Sequence, residues 1–212
     1  MNWCKKIDSQ SNSMLNYIIR KRILLSRIFG FSMIPIILLS DNFSIYTLPI
    51  TKMQSVGLSI LGFTLVIIGG FGRLWASLYV EGFKTKTLIK EGPYSMVRNP
   101  LYFFNFFTLL GFCCVVKSIP VAIALLITFS LLHIPAIINE ERKLLSRHDD
   151  RYKNYYNSTP RLIPNPFKYR KTKSTDRIEV KIKRINNVIW EIVGYIFLYT
   201  VIDLVHFYQI FQ

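Results

Sequence analysis

Acidic residues are scarce in this chain: 12 Asp and Glu stand against 27 Lys and Arg, and charged residues of either sign fill only 18% of the 212 positions. A soluble domain of this length carries about a quarter. With 51% hydrophobic residues gathered into long runs, the shortfall excludes intrinsic disorder and an ordinary water-soluble fold. Cysteine is sparse too. Three of them (Cys4, Cys113 and Cys114), two adjacent inside an apolar run, argue against a disulfide framework. Three histidines (His133, His148 and His206) stand far apart without metal-ligand spacing, so no metal site is expected. No internal repeat is visible.

What is present is apolar sequence in spanning lengths. A membrane helix needs about 20 mostly apolar residues, and five stretches qualify: Ile23 to Ser40, Val56 to Val80, Leu101 to Val116, Ile119 to Ile138, and Val188 to Phe211. Lys117-Ser118 is too brief a gap for anything but a tight turn, so the third and fourth form a helical hairpin, with Ser118 and Pro120 at the start of the fourth. The fold class is therefore all-α, a polytopic integral membrane bundle of about five transmembrane helices. The basic residues give an independent check. Of 27 Lys and Arg, 25 fall on one side of this arrangement, with Lys52 and Lys117 alone on the other. That alternation predicts a cytoplasmic N-terminus. The first segment is read as an anchor rather than a signal peptide, because it contains Arg27 and ends in Leu38-Leu39-Ser40-Asp41 without a small-residue cleavage pattern.

The positive face is expected to attract anionic lipid headgroups, and no nucleic acid partner is expected. Four regions follow: 1–55, a basic segment, first anchor and external loop; 56–167, the membrane core; 168–187, a basic linker; and 188–212, the last transmembrane helix.

Residues suited to chemistry gather where the second, third and fourth segments meet the basic side. In Glu91-Gly92-Pro93-Tyr94 through Arg98-Asn99-Pro100-Leu101-Tyr102, a turn at Gly92-Pro93 precedes a helix with Asn99 as N-cap and Pro100 in its first turn. The unpaired N–H groups there, with Arg98 beside them, suit a carboxylate or phosphate. Glu140-Glu141 ends the fourth segment, where carboxylates are mildly unfavourable, so they call for a partner. The hairpin brings both groups to the same face. A third group, Glu141 to Tyr156, places Leu145, His148, Tyr152, Tyr155 and Tyr156 at helical spacing. It reads as a cytoplasmic interfacial helix that also roofs the pocket.

These motifs, followed by Leu144, Arg151-Tyr152, Tyr155 and Pro160-Arg161-Leu162-Ile163-Pro164, resemble in order and spacing the isoprenylcysteine carboxyl methyltransferase family, itself related to phospholipid methyltransferases. Gly72-Arg73-Leu74-Trp75-Ala76 resembles the family's second-helix segment. The resemblance covers roughly Gly69 to Pro164. It implies a methyltransferase of membrane helices using S-adenosyl-L-methionine, with Leu88, Tyr94, Asn99, Pro100, Leu101 and Tyr102 lining the cofactor pocket and Glu140 reaching the cofactor's polar groups. Arg98 and Glu141 are the candidate catalytic side chains. A carboxylate acceptor needs no base, whereas an ammonium acceptor would call on Glu141 or His148.

Three positions depart from the family: Asn99 and Lys86 stand where His is common, and Ala136 replaces an Arg that contacts substrate in the eukaryotic enzymes. The expected acceptor is lipid-like or prenylated, with Ala136 arguing against prenylcysteine, and membrane lipids are expected partners. The expected location is the inner membrane if bacterial, or the endoplasmic reticulum if eukaryotic. Phospholipid N-methylation, an NADPH-dependent membrane reductase of similar helical core, and a non-catalytic membrane protein are the other readings.

Among the remaining polar residues, Arg73 is expected to snorkel or to meet the cofactor or an anionic substrate. Glu191 is expected to be solvated. Asp203 and His206 are expected to pair near the far surface. Gly69-Gly70 and Gly72 read as close helix packing.

Overall fold

A computed structural model of the protein describes residues 50–82, 88–171 and 182–211. The first apolar segment (23–40), the basic N-terminal stretch, Lys84 and Lys86, and residues 172–181 of the linker lie outside the described residues. Among the described residues, five α-helices run in chain order: α1 Lys52–Gly82, α2 Pro93–Met96, α3 Pro100–Val116, α4 Ile119–Ser158 and α5 Ile182–Phe211, with a 3-10 turn at Pro166–Lys168. Among the described residues, a single bridge between Gly92 and Arg170 is the only β-type pairing. The all-α membrane bundle expected from the sequence is the fold observed. Helices α1, α4 and α5 are each long and apolar enough to cross a bilayer, and α3 is a shorter apolar helix.

Proline and the turn chemistry set the helix starts. Pro100 and Pro120 stand in the first turns of α3 and α4, where a missing N–H costs nothing. Lys117, in the left-handed conformation (φ 53°), closes α3 and lets the chain reverse at once into α4. No glycine or proline interrupts the sequence from Ala136 to Ser158, so the expected interfacial helix is continuous with the fourth segment rather than separate from it. At 40 residues α4 is about 60 Å long, twice the apolar thickness of a bilayer. Its C-terminal half therefore carries Tyr152, Tyr155 and Tyr156 beyond the apolar window.

Helix α1 packs most extensively along α3, and small residues permit the approach. A Cβ at Gly111 would lie 2.5 Å from the Gly62 carbonyl oxygen, one at Gly62 2.8 Å from the Gly111 carbonyl, and one at Gly69 2.7 Å from the Phe104 carbonyl. Since each obstacle is backbone, a side chain there has to push the helices apart. Gly111→Val is expected to lose about 1–3 kcal/mol, read as a lower apparent melting temperature of the detergent-purified protein; a melting curve matching wild type would contradict this packing.

Helix α5 completes the core. Tyr199 and Ile202 pack with Val66, Val115, Val116 and Val121, and the Tyr199 hydroxyl donates to the Ser59 carbonyl at 2.7 Å. Two polar contacts fix it near opposite ends. Arg73 forms an ion pair with Glu191 and donates to the Tyr195 hydroxyl at 3.2 Å, both on α5. Asp203 accepts from Ser59 at 2.5 Å and lies 3.7 Å from the buried Lys117 ammonium. Asp203 thereby ties α5 to the α3–α4 turn, a contact that the local spacing on α5 does not announce. Elsewhere the long helices present Phe71, Ile127, Leu131, Phe197 and Leu204 outward, as surfaces bathed by lipid do.

Candidate functional site

One helical step separates Glu140 from Glu141, and about 100° of rotation sends the two carboxylates to different neighbours. Glu141, 6% exposed, points toward the loop that follows α4. One of its oxygens accepts from the Asn99 side-chain amide at 3.0 Å and lies 3.7 Å from the Arg98 Nε. The other accepts two bonds from Arg161, at 2.9 and 3.1 Å. Asn99 also donates to the Arg161 carbonyl at 3.3 Å. A buried carboxylate is tolerated when it is neutralised and fully hydrogen-bonded in this way.

Around this node two segments are stitched together. Arg98 N–H donates to the Pro160 carbonyl at 2.9 Å, Asn165 N–H to the Met96 carbonyl at 3.0 Å, and Gly92 N–H to the Arg170 carbonyl at 2.9 Å. The Tyr155 hydroxyl donates to the Tyr94 carbonyl at 2.7 Å. Gly92 has φ 59° and a Cβ there would run into the Tyr79 ring, so glycine is required on both counts.

Glu140 faces the other way. It accepts from the Tyr102 hydroxyl at 3.0 Å, and Tyr102 is buried with its ring edge-on to His133. Tyr94 is close enough for the Glu140 charge to help raise its pKa, after burial and Tyr155. Asn99 holds the N-cap position of α3 without a side-chain bond to the helix, because its amide is committed to Glu141. The first-turn N–H groups that follow Pro100 are left uncapped by it. Leu88 sits half-buried in the non-helical stretch leading to Gly92; Pro100 is buried and Leu101 half-buried. Tyr94, Asn99, Tyr102, Glu140 and Glu141 therefore meet at one end of the bundle, which is the juxtaposition that the hairpin argument required. His148 lies on α4, outside the side chains described.

The sequence reading did not single out Arg161 as a site residue. Its signal was present, since two adjacent carboxylates at a helix end demanded cations, but the 20-residue separation from Glu141 hides the pairing. The Arg98 guanidinium, beside Glu141, also stacks on the Tyr156 ring at 3.8 Å. Beyond it opens a groove of about 760 Å³, lined by Tyr156, Ser158, Ile163, Phe167 and Lys168 among others, which shares only Arg98 with the predicted site residues.

Burial first, then the Glu141 charge, pushes the Tyr152 phenol from 10.0 up to about 12. A pKa raised in the folded state means that the proton is held more firmly there than in the unfolded chain. The resulting stability is complete below about pH 10 and is lost as pH rises through about 12. Difference titration of wild type against Tyr152→Phe is expected to show the missing step near pH 12; a step at the ordinary tyrosine value would overturn the assignment. Tyr94 and Tyr155 shift in the same direction, with burial again the largest cause.

Residues 51–150 match the family described as phospholipid methyltransferase. Two curated relatives align over 110 residues. The nickel-cobalt-cadmium resistance protein NccN of Alcaligenes xylosoxydans xylosoxydans is 39% identical, covering 52% of this chain and 51% of the relative. The cobalt-zinc-cadmium resistance protein CzcN of Cupriavidus metallidurans is 36% identical, covering 52% and 50%. The chain thus spans about half the length of the curated relatives it matches. No solved structure matches. Among the described residues, no three His, Cys, Asp or Glu side chains come together as a metal site.

Proposed function

We propose, from the phospholipid methyltransferase family domain that residues 51–150 carry, that the protein is a membrane methyltransferase using S-adenosyl-L-methionine on a lipid-like acceptor, with carboxyl O-methylation favoured. The observation behind the donor assignment is the convergence of Tyr102 on Glu140 with Tyr94 alongside. A carboxylate flanked by neutral phenols suits a ligand carrying an ammonium, a ribose and a sulfonium. The start of α3, where the Asn99 side chain makes no bond to the helix, suits that ligand's carboxylate. Leu88, Pro100 and Leu101 would supply the apolar walls.

S-Adenosylmethionine, when bound, supplies an electrophilic methyl that an acceptor carboxylate takes with its own electron pair, while the C–S pair stays on sulfur and no proton moves. The protein's part is to orient the two partners and to keep water away, because opposite charges cancel as they meet. Glu141 bears on the choice of acceptor. Held by Arg161, Arg98 and Asn99, its lone pairs are engaged and its charge is compensated, so it is a poor general base. An ammonium acceptor would need one; a carboxylate does not. In this reading Arg98 and Glu141 are positioning residues that hold Asn99, and with it the start of α3, against Glu140.

Calorimetric titration of detergent-purified protein with S-adenosylmethionine, followed by transfer of labelled methyl into a total lipid extract, tests the reading. Label released as methanol by mild alkali identifies an ester; label that survives identifies N-methylation. Stabilisation by NADPH without stabilisation by S-adenosylmethionine would replace the proposal with a reductase.

A further inference from the structure

The geometry points to a docking site for an anionic phospholipid headgroup in the groove between Arg98 and the loop after α4, separate from the methyl-donor residues around Glu140. Three independent observations carry it. The first is a cation without enough partners. The Arg98 side chain is 8% exposed, and its buried Nε and Nη1 have no hydrogen-bond acceptor. The nearest carboxylate oxygen stands 3.7 Å away and already serves Asn99. A guanidinium held in that state at the wall of an open groove is a receptor for an oxyanion.

The second observation is charge. From Thr159 to Lys171 the chain contains Arg161, Lys168, Arg170 and Lys171 and no acidic residue. Lys168 also lines the groove, with its ammonium donating to the Ser158 carbonyl and two N–H bonds left to give. The third is apolar exposure on the same lining. Ile163 is 81% exposed and Phe167 98%, and both border the groove. Asn165 accepts from Phe167 N–H at 3.1 Å, which fixes the short turn that presents that ring.

Height decides between a lipid and a free phosphate. The loop is bonded to Met96 and Arg98, immediately before α3 starts its apolar run at Pro100. Ile163 and Phe167 are thereby set at the level where apolar sequence gives way to polar, the depth at which aromatic rings and cations settle in a bilayer interface. A phosphodiester on Arg98 and Lys168 with its acyl chains against Ile163 and Phe167 satisfies all three observations; inorganic phosphate satisfies two. The site does not depend on the methyl-transfer reading.

The test uses the full chain in neutral detergent, titrated with fluorescent phosphatidylglycerol and, separately, phosphatidylcholine. Wild type is expected to prefer phosphatidylglycerol, and Lys168→Glu with Arg170→Glu to weaken that binding by about tenfold or more, with the melting temperature and S-adenosylmethionine affinity unchanged. Phe167→Ser is expected to weaken long-chain but not short-chain phosphatidylglycerol. Equal affinity for the two lipids in wild type, or an undiminished preference in the double variant, overturns the proposal. Displacement of the lipid by inorganic phosphate at matched ionic strength assigns the groove to a free anion and overturns the lipid assignment.

Discussion

Glu141→Ala is expected to lower stability by about 3 kcal/mol, the low end of the cost of breaking a buried ion pair from one side. The low end applies because the three partners fare differently. Arg161 is 44% exposed and can turn to water, whereas Arg98, at 8%, is left as an uncompensated charge over Tyr156. Asn99 also loses its shortest acceptor. The loss falls on the contacts that join residues 91–99 to 159–170, so it is expected as a reduced melting temperature together with faster proteolysis between Pro160 and Lys171. Glu141→Gln, which keeps size and one acceptor oxygen, is expected to fall between. If the stranded cation is the cause, Arg98→Met added to Glu141→Ala restores part of the loss. A Glu141→Ala protein that melts with wild type would show that the cap is held by its backbone bonds alone.

Much of this cap was legible before any coordinates. Pro100 after Asn99 marks a helix start, and the brevity of Lys117-Ser118 forces a hairpin. Together these bring Asn99 and the Glu140-Glu141 pair to one end of the bundle. What the sequence could not divide was the labour between the two glutamates. Adjacent carboxylates are equivalent on paper, and only the rotation of α4 against the returning loop sends Glu141 to Arg161 and Glu140 to Tyr102. Long-range polar pairs were hidden for the same reason. Arg73 finds Glu191 across 118 residues, and Asp203 reaches Ser59 on α1 and Lys117 in the α3–α4 turn. Local spacing ranks neighbours along one helix, but helix packing decides which facing residue is closer.

The division also explains the place of α5. Its apolar run announced a span and nothing more. Its packing on Val66, Val115 and Val116, with polar contacts to α1 and to the α3–α4 turn, makes it the brace that fixes α1 against α3. The candidate site residues lie on α3 and α4 and on the segment leading into α3, so their registration depends on a helix that contributes none of them.

Glu140→Ala is expected to remove S-adenosylmethionine binding while leaving the fold intact. A carboxylate that bonds a charged or hydroxylic ligand contributes about 1.5–3 kcal/mol per bond. Loss of even one such bond weakens affinity by about tenfold or more, and loss of two puts binding out of calorimetric reach. Melting is expected to change little, because Glu140 is only partly buried and the stitching around it runs through Glu141. Glu140→Gln separates charge from shape: retained size with lost affinity identifies the negative charge as the recognition element. Tyr102→Phe, which removes the hydroxyl that orients Glu140 at 3.0 Å, is expected to cost about 0.5–1.5 kcal/mol of that binding. Two neighbouring residues then give different signatures, Glu140→Ala failing in binding but not in melting and Glu141→Ala losing stability, with any loss of binding following from the displaced start of α3. Wild-type affinity in Glu140→Ala would refute the pocket, since Glu140 is the carboxylate that Tyr102 bonds and whose charge acts on Tyr94.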